Sequence, residues 1–134
     1  MKSKINSFFL LGCIFLLSKN VFSQTCYYYI QASPGNYIEK DVIKKRVVTN
    51  VFSAPCIDYN RRAAASRMED KMLRQFNDAL SIKFEKKVLI GNREFWNYEF
   101  ETELEANKDR REVMSDLIND DYKIINFNFE YYED

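Results

Sequence analysis

Apolar residues in this chain recur at two spacings, and the order in which the spacings alternate leaves few folds open. Residues 122–132 (YKIINFNFEYY) alternate at period two. Ile125, Phe127, Phe129 and Tyr131 face one way, and Asn126, Asn128 and Glu130 face the other. Residues 65–80 instead place Ala65, Met68, Met72, Phe76 and Leu80 at helical spacing, which makes one stripe to be buried. Asp58 or Asn60 is the expected cap at the start of that helix.

The other segments follow the same two rules. Residues 26–32 (CYYYIQA) are dense in strand formers, and Ser33-Pro34-Gly35-Asn36 is a turn. Residues 37–45 are ambiguous between a short helix and an extended lead-in. Residues 46–53 (RVVTNVFS) form a β-branched strand that Ala54-Pro55 ends. Residues 82–90 are expected to be partly an edge strand, with Ile82 and Phe84, and Val88 and Ile90, at period two. Gly91-Asn92 then turns the chain into a strand at 95–100 (FWNYEF), giving a plausible hairpin. Thr102-Glu103-Leu104-Glu105 is a capping box for a helix running to about Asn119.

From Arg46 onward the order is therefore β-α-β-β-α-β. This predicts an α+β, ferredoxin-like antiparallel sheet with two helices on one face and an extra N-terminal strand. One sheet face is then left open to water.

The N-terminal residues are expected to lie outside this domain. Lys2 and Lys4 precede a ten-residue apolar run, FFLLGCIFLL, that is too short to span a bilayer. Residues 1–23 thus read as a signal peptide cleaved before Gln24, leaving a single domain at 24–134 in the periplasm or outside the cell. Leu10-Leu11-Gly12-Cys13 offers a rival, a lipoprotein box that would leave a lipidated Cys13, but it sits mid-run. Cleavage before Gln24 leaves 111 residues with 17 Lys and Arg against 20 Asp and Glu, a net charge of −3. Such a chain has no electrostatic reason to seek nucleic acid or anionic lipid, and no stable membrane span. Cys26 and Cys56 then pair as a structural disulfide.

The segment 95–125 resembles the second half of sporulation-related repeat (SPOR) domains. Tyr98 and Phe100 match the aromatic strand of that family, and Thr102, Glu105 and Ala106 match its helix start. The first half departs from the family pattern, because no glycine-containing first-strand motif precedes the first helix. The resemblance implies binding of peptidoglycan glycan strands on the open sheet face. The chain also looks like small secreted proteins of Asn/Lys-rich bacterial proteomes, a likeness that implies only export.

Candidate sites follow from chemistry. The chain has no histidine, which removes Ser-His and Cys-His catalysis and His-ligated metals. Asn97, Asn126 and Asn128, joined by Asn50, are expected to share the open face, where carboxamides suit sugar hydroxyls or peptide backbone. Alternation also puts part of the tyrosine run outside, either Tyr28 or Tyr27 with Tyr29, as an aromatic contact. Glu99, Glu101, Glu103, Glu105 and Asp120-Asp121 are the carboxylates a hydrolase would use, but such residues near helix ends are commonly dipole complements. No cofactor or metal site is expected, since Asn119-Asp120-Asp121 lacks a calcium-loop pattern. The leading expectation is a non-catalytic binding module of the bacterial cell envelope. The alternatives are an inhibitor or immunity protein that binds a partner protein and, behind it, a carboxylate hydrolase.

Overall fold

The computed structural model describes residues 24–35, 37–38 and 44–133; the expected signal peptide and lipoprotein box lie outside the described residues. Among the described residues five strands and two helices follow in chain order: β1 (Thr25–Ala32), β2 (Lys45–Thr49), β3 (Phe52–Pro55), α1 (Arg62–Lys83), β4 (Phe95–Phe100), α2 (Glu103–Asn119) and β5 (Lys123–Phe127). A single 3-10 turn, Asn92–Glu94, leads into β4.

The sheet is mixed. β1 lies in its middle, with β4 antiparallel along one side and β2 and β3 antiparallel along the other. β5 runs parallel to β2, from Lys45 opposite Lys123 to Thr49 opposite Phe127. The class is α+β with two helices, but the ferredoxin-like order does not form. One strand is missing: residues 82–90 do not enter the sheet. Ile82 and Lys83 finish α1, and the rest has no ladder partner. The expected hairpin is absent because β1 takes the edge of β4 all along its length.

The missing strand decides the layers. β3 to α1 to β4, and β4 to α2 to β5, are both crossovers starting from strands that point the same way. They travel in opposite directions across the sheet. Crossovers of one hand that travel in opposite directions put their helices on opposite faces. Accordingly, Met72, Phe76 and Leu80 of α1 pack on Tyr28, Ile30, Val47 and Phe127. Leu117, Val113 and Met114 of α2 pack on Tyr29, Val48, Tyr98 and Ile124 of the other face. The expectation of two helices on one face, with the other face open, is corrected.

Only α2 starts with the cap its sequence leads one to expect; the expected cap of α1 at Asp58 or Asn60 is corrected. Thr102 Oγ1 accepts from the amide of Glu105 at 3.2 Å, as the capping box requires. At α1 the N-cap is Arg61, with no side-chain cap bond. Asp58 instead closes its own turn on the amide of Asn60 at 3.1 Å.

Phe76 anchors the larger core, with ring centroids 5.7 Å from Phe95, 5.9 Å from Phe127 and 5.7 Å from Phe129. On the α2 side Tyr29 stacks on Tyr98 at 4.8 Å. The Cys26–Cys56 disulfide ties β1 to the residue that follows β3, with Cα atoms 4.9 Å apart. A bond of this kind suits an oxidising, extracytoplasmic compartment. Among the described residues no helix is long and apolar enough to cross a membrane.

Candidate functional site

The sheet forks, and the fork has a local cause. Gln31 pairs with Val48, and Tyr28 pairs with Phe52. Between those pairs β1 supplies Tyr29 and Ile30, while the facing chain supplies Thr49, Asn50 and Val51. One extra residue on one strand is a β-bulge, which bends that strand and strengthens its twist. Beyond the bulge, β3 stays with β1 but diverges from the line of β5. The chain after β5, residues 128–133, continues without a ladder partner.

Side chains replace the main-chain bonds lost at the branch point. Thr49 Oγ1 accepts from the amide of Ile30 at 2.9 Å. Asn50 Oδ1 accepts from the amide of Phe129 at 2.7 Å, and its Nδ2 donates to the carbonyl of Val51 at 3.2 Å. Asn50 is therefore the wedge where β3 and the C-terminal segment part. Further out, Gln75 of α1 holds that segment by both of its polar atoms. Its Oε1 accepts from the amide of Tyr132 at 3.0 Å, and its Nε2 donates to the Tyr132 carbonyl at 2.7 Å. Tyr131 turns into the core, its hydroxyl 3.2 Å from the Met68 sulfur.

Between the two arms lies a groove of about 810 Å³, within the size range of ligand sites. One wall is α1, where Gln75, Asp78, Ala79 and Ile82 fall at helical spacing on one face. The other walls are β3, residues 128–132, Tyr27 and Glu103. A smaller hollow of about 330 Å³ continues it past Pro55 to Tyr132 and Glu133. Two large apolar side chains stand exposed at the rim, Ile82 at 79% and Tyr132 at 63%. The Tyr132 hydroxyl donates to Glu130 at 3.0 Å, and that bond to a carboxylate holds its pKa above the usual tyrosine range.

The five expected ligand residues do not gather on one face. Asn50 and Asn128 both line the groove. Asn126 is exposed on the α2 side, its Oδ1 3.4 Å from the Arg110 guanidinium. Asn97 shares the α1 side of β4 with Glu99, and its buried Nδ2 has no hydrogen-bond partner in the structure. Tyr28 is fully buried against α1 rather than exposed. Its hydroxyl lies 2.5 Å from Glu99 Oε2 and 2.8 Å from the Pro55 carbonyl, and Glu99 also accepts from the amide of Ile57. Tyr29 faces the other way and donates to Asp109 at 2.6 Å. Burial, then the hydrogen bond to a carboxylate, pushes both phenols far above the usual tyrosine range.

Sequence reading missed Ser53, Gln75, Asp78 and Ile82 as groove residues. One signal was available: Ile82 falls off the stripe that ends at Leu80, so a helix extended through it must expose it. Among the described residues no group of three or more Cys, Asp and Glu side chains is arranged to hold a metal ion. Compared with protein-family models, with curated proteins and with solved structures, the chain matches none.

Proposed function

We propose that this chain is a non-catalytic binding module of an extracytoplasmic compartment, exported by its first 23 residues, and that its ligand occupies the groove at the fork of the sheet. The single observation that carries this reading is the fork itself. A bulge opens the sheet, Asn50 and Gln75 prop it open with side-chain bonds, and the space between stays lined by exposed Ile82 and Tyr132. A sheet of this size would bury more apolar surface by closing, so an edge held apart by dedicated hydrogen bonds favours occupancy by something else.

The glycan reading implied by the SPOR resemblance assigned the ligand to a free sheet face. With α2 over that face, the groove is the surface left to it. The test uses protein purified after export and labelled for amide spectra. It is titrated separately with soluble peptidoglycan fragments and with peptides selected from a displayed random library. Binding by either class should shift amides of residues 50–53, 75–82 and 128–132, and Ile82→Lys should abolish it. Ile118→Lys, on an exposed position near the end of α2, should not. Shifts centred on Trp96 or α2, or no binding of either class, would remove the reading.

A further inference from the structure

The ladder register of β3 says what kind of ligand the groove takes. The amide of Cys56 donates to the carbonyl of Gln24 at 2.9 Å, so that facing pair is hydrogen-bonded. In an antiparallel ladder bonded and non-bonded pairs alternate. Cys26 with Ala54 and Tyr28 with Phe52 are then bonded pairs, and Tyr27 with Ser53 is a non-bonded pair. The main-chain N–H and C=O of Ser53 therefore point away from β1 and into the groove. Pro55 has no N–H, and its carbonyl already accepts from the Tyr28 hydroxyl. β3 offers one donor and one acceptor at Ser53, on a stretch of four residues.

Three further observations narrow the occupant. Among the described residues β3 pairs with β1 alone, so its outer edge is an unfilled strand position. The charged side chains in the lining of the groove and its extension are Asp78, Glu103, Glu130 and Glu133, with no lysine or arginine among them. Ile82 and Tyr132 offer apolar contacts on the α1 wall and the C-terminal arm, suited to alternate side chains of an extended chain.

We infer that the groove receives an extended, lysine- or arginine-bearing segment of a partner protein, which adds as a strand to β3 through the main chain of Ser53. This rests on the groove being the binding site. Main-chain pairing supplies a sequence-independent part of the affinity, and the acidic rim selects positive side chains. Salt should weaken the complex, because the rim carboxylates are exposed.

The experiment selects binders from a displayed library of random peptides and then resynthesises the best with N-methyl groups at alternate residues. The expected result is enrichment of Lys or Arg alternating with apolar residues. Methylation in one alternating set should cost about tenfold in affinity per bond lost, with the other set tolerated. The Ser53 amide should gain protection from hydrogen exchange in the complex, and Asp78→Lys with Glu130→Lys should turn the preference toward acidic peptides. Equal tolerance of both methylation sets, or selection of acidic peptides by the native protein, overturns the inference. Binding of peptidoglycan fragments without peptides keeps the groove as the site but rejects the strand. Self-association through β3, seen in sedimentation, assigns the edge to a second copy and also rejects it. No ligand of any class rejects the groove reading itself.

Discussion

Asn77 holds a segment that looks like a strand but is not one, and its replacement tests that account. The side chain is buried at 8% exposure in the middle of α1. Its Nδ2 donates to the carbonyl of Ile90 at 2.9 Å, and its Oδ1 accepts from the amide of Ile90 at 2.8 Å. The carboxamide thus copies the two bonds a neighbouring strand would make. Ser81 extends the arrangement one turn later, accepting from the amide of Val88 at 2.9 Å. Asn77→Ala leaves the Ile90 amide and carbonyl buried without partners, each costing about 1–3 kcal/mol. Partial access of water lowers the total to about 2–4 kcal/mol, a large part of the stability of a domain this size. If residues 88–90 came free altogether, Val88 and Ile90 would also lose their burial, at about 1.5–3 kcal/mol each, so the larger value is not a ceiling.

The assay is denaturant unfolding, with hydrogen exchange at Val88 and Ile90 as the local readout. Asn77→Asp sharpens it. A carboxylate there keeps the bond to the Ile90 amide but faces the Ile90 carbonyl with a second negative oxygen. Repulsion and burial raise its folded pKa above the ordinary value of about 4. A raised folded pKa means that the unfolded state loses its proton first as pH rises. The variant should therefore be weakest at neutral pH and regain stability as pH falls through the folded pKa, where the acid can donate to the carbonyl again. A cost below about 1 kcal/mol for Asn77→Ala, together with a pH-independent Asn77→Asp, would refute the reasoning.

Three other outcomes follow from the same structure. Tyr28 and Tyr29 both have raised folded pKa values, so unfolding releases their protons first once pH passes about 10. The contribution of these two phenols should be flat below that pH and fall above it by up to about 2.7 kcal/mol per pH unit, and Tyr28→Phe should lower the observed slope by about half of that amount; denaturant titration against pH measures both. Cys26 and Cys56 close a loop of sequence separation 30, for which the chain-entropy model gives about 3–4 kcal/mol. Unfolding with and without reductant should differ by that amount. Thr102→Ala should cost about 1 kcal/mol and fray the first turn of α2, seen as faster exchange at Glu105.

Much of the fold is legible residue by residue. Ala65, Met72, Phe76 and Leu80 are buried in α1 as their spacing requires, and Ile125, Phe127, Phe129 and Tyr131 belong to one cluster as their alternation requires. The site is less legible. Asn97, Asn126 and Asn128 were grouped by assuming one free face, but a carboxamide carries no sign of whether it meets solvent, another side chain or backbone. Asn50, Gln75 and Asn77 all ended on backbone. A bulge at 49–51 leaves little composition mark either, since VTNVF is β-forming apart from Asn50, and a lone asparagine in a strand does not tell a bulge from an ordinary polar position.

By itself, then, the sequence determined what each segment prefers: its period, its cap at Thr102, its disulfide and its polar residues. Apart from the disulfide, whose two cysteines are 30 residues apart, those are local properties, set by side chains within a few residues of one another. Tertiary structure decided which period-two segments found a strand partner. Residues 88–90 met Asn77 and Ser81 instead, and that removed one reversal of chain direction before the second crossover. With crossover hand fixed by strand twist, losing one reversal moves α2 to the opposite face. The free sheet face disappeared with that move, and the groove at the fork beside β3 became the surface proposed for binding.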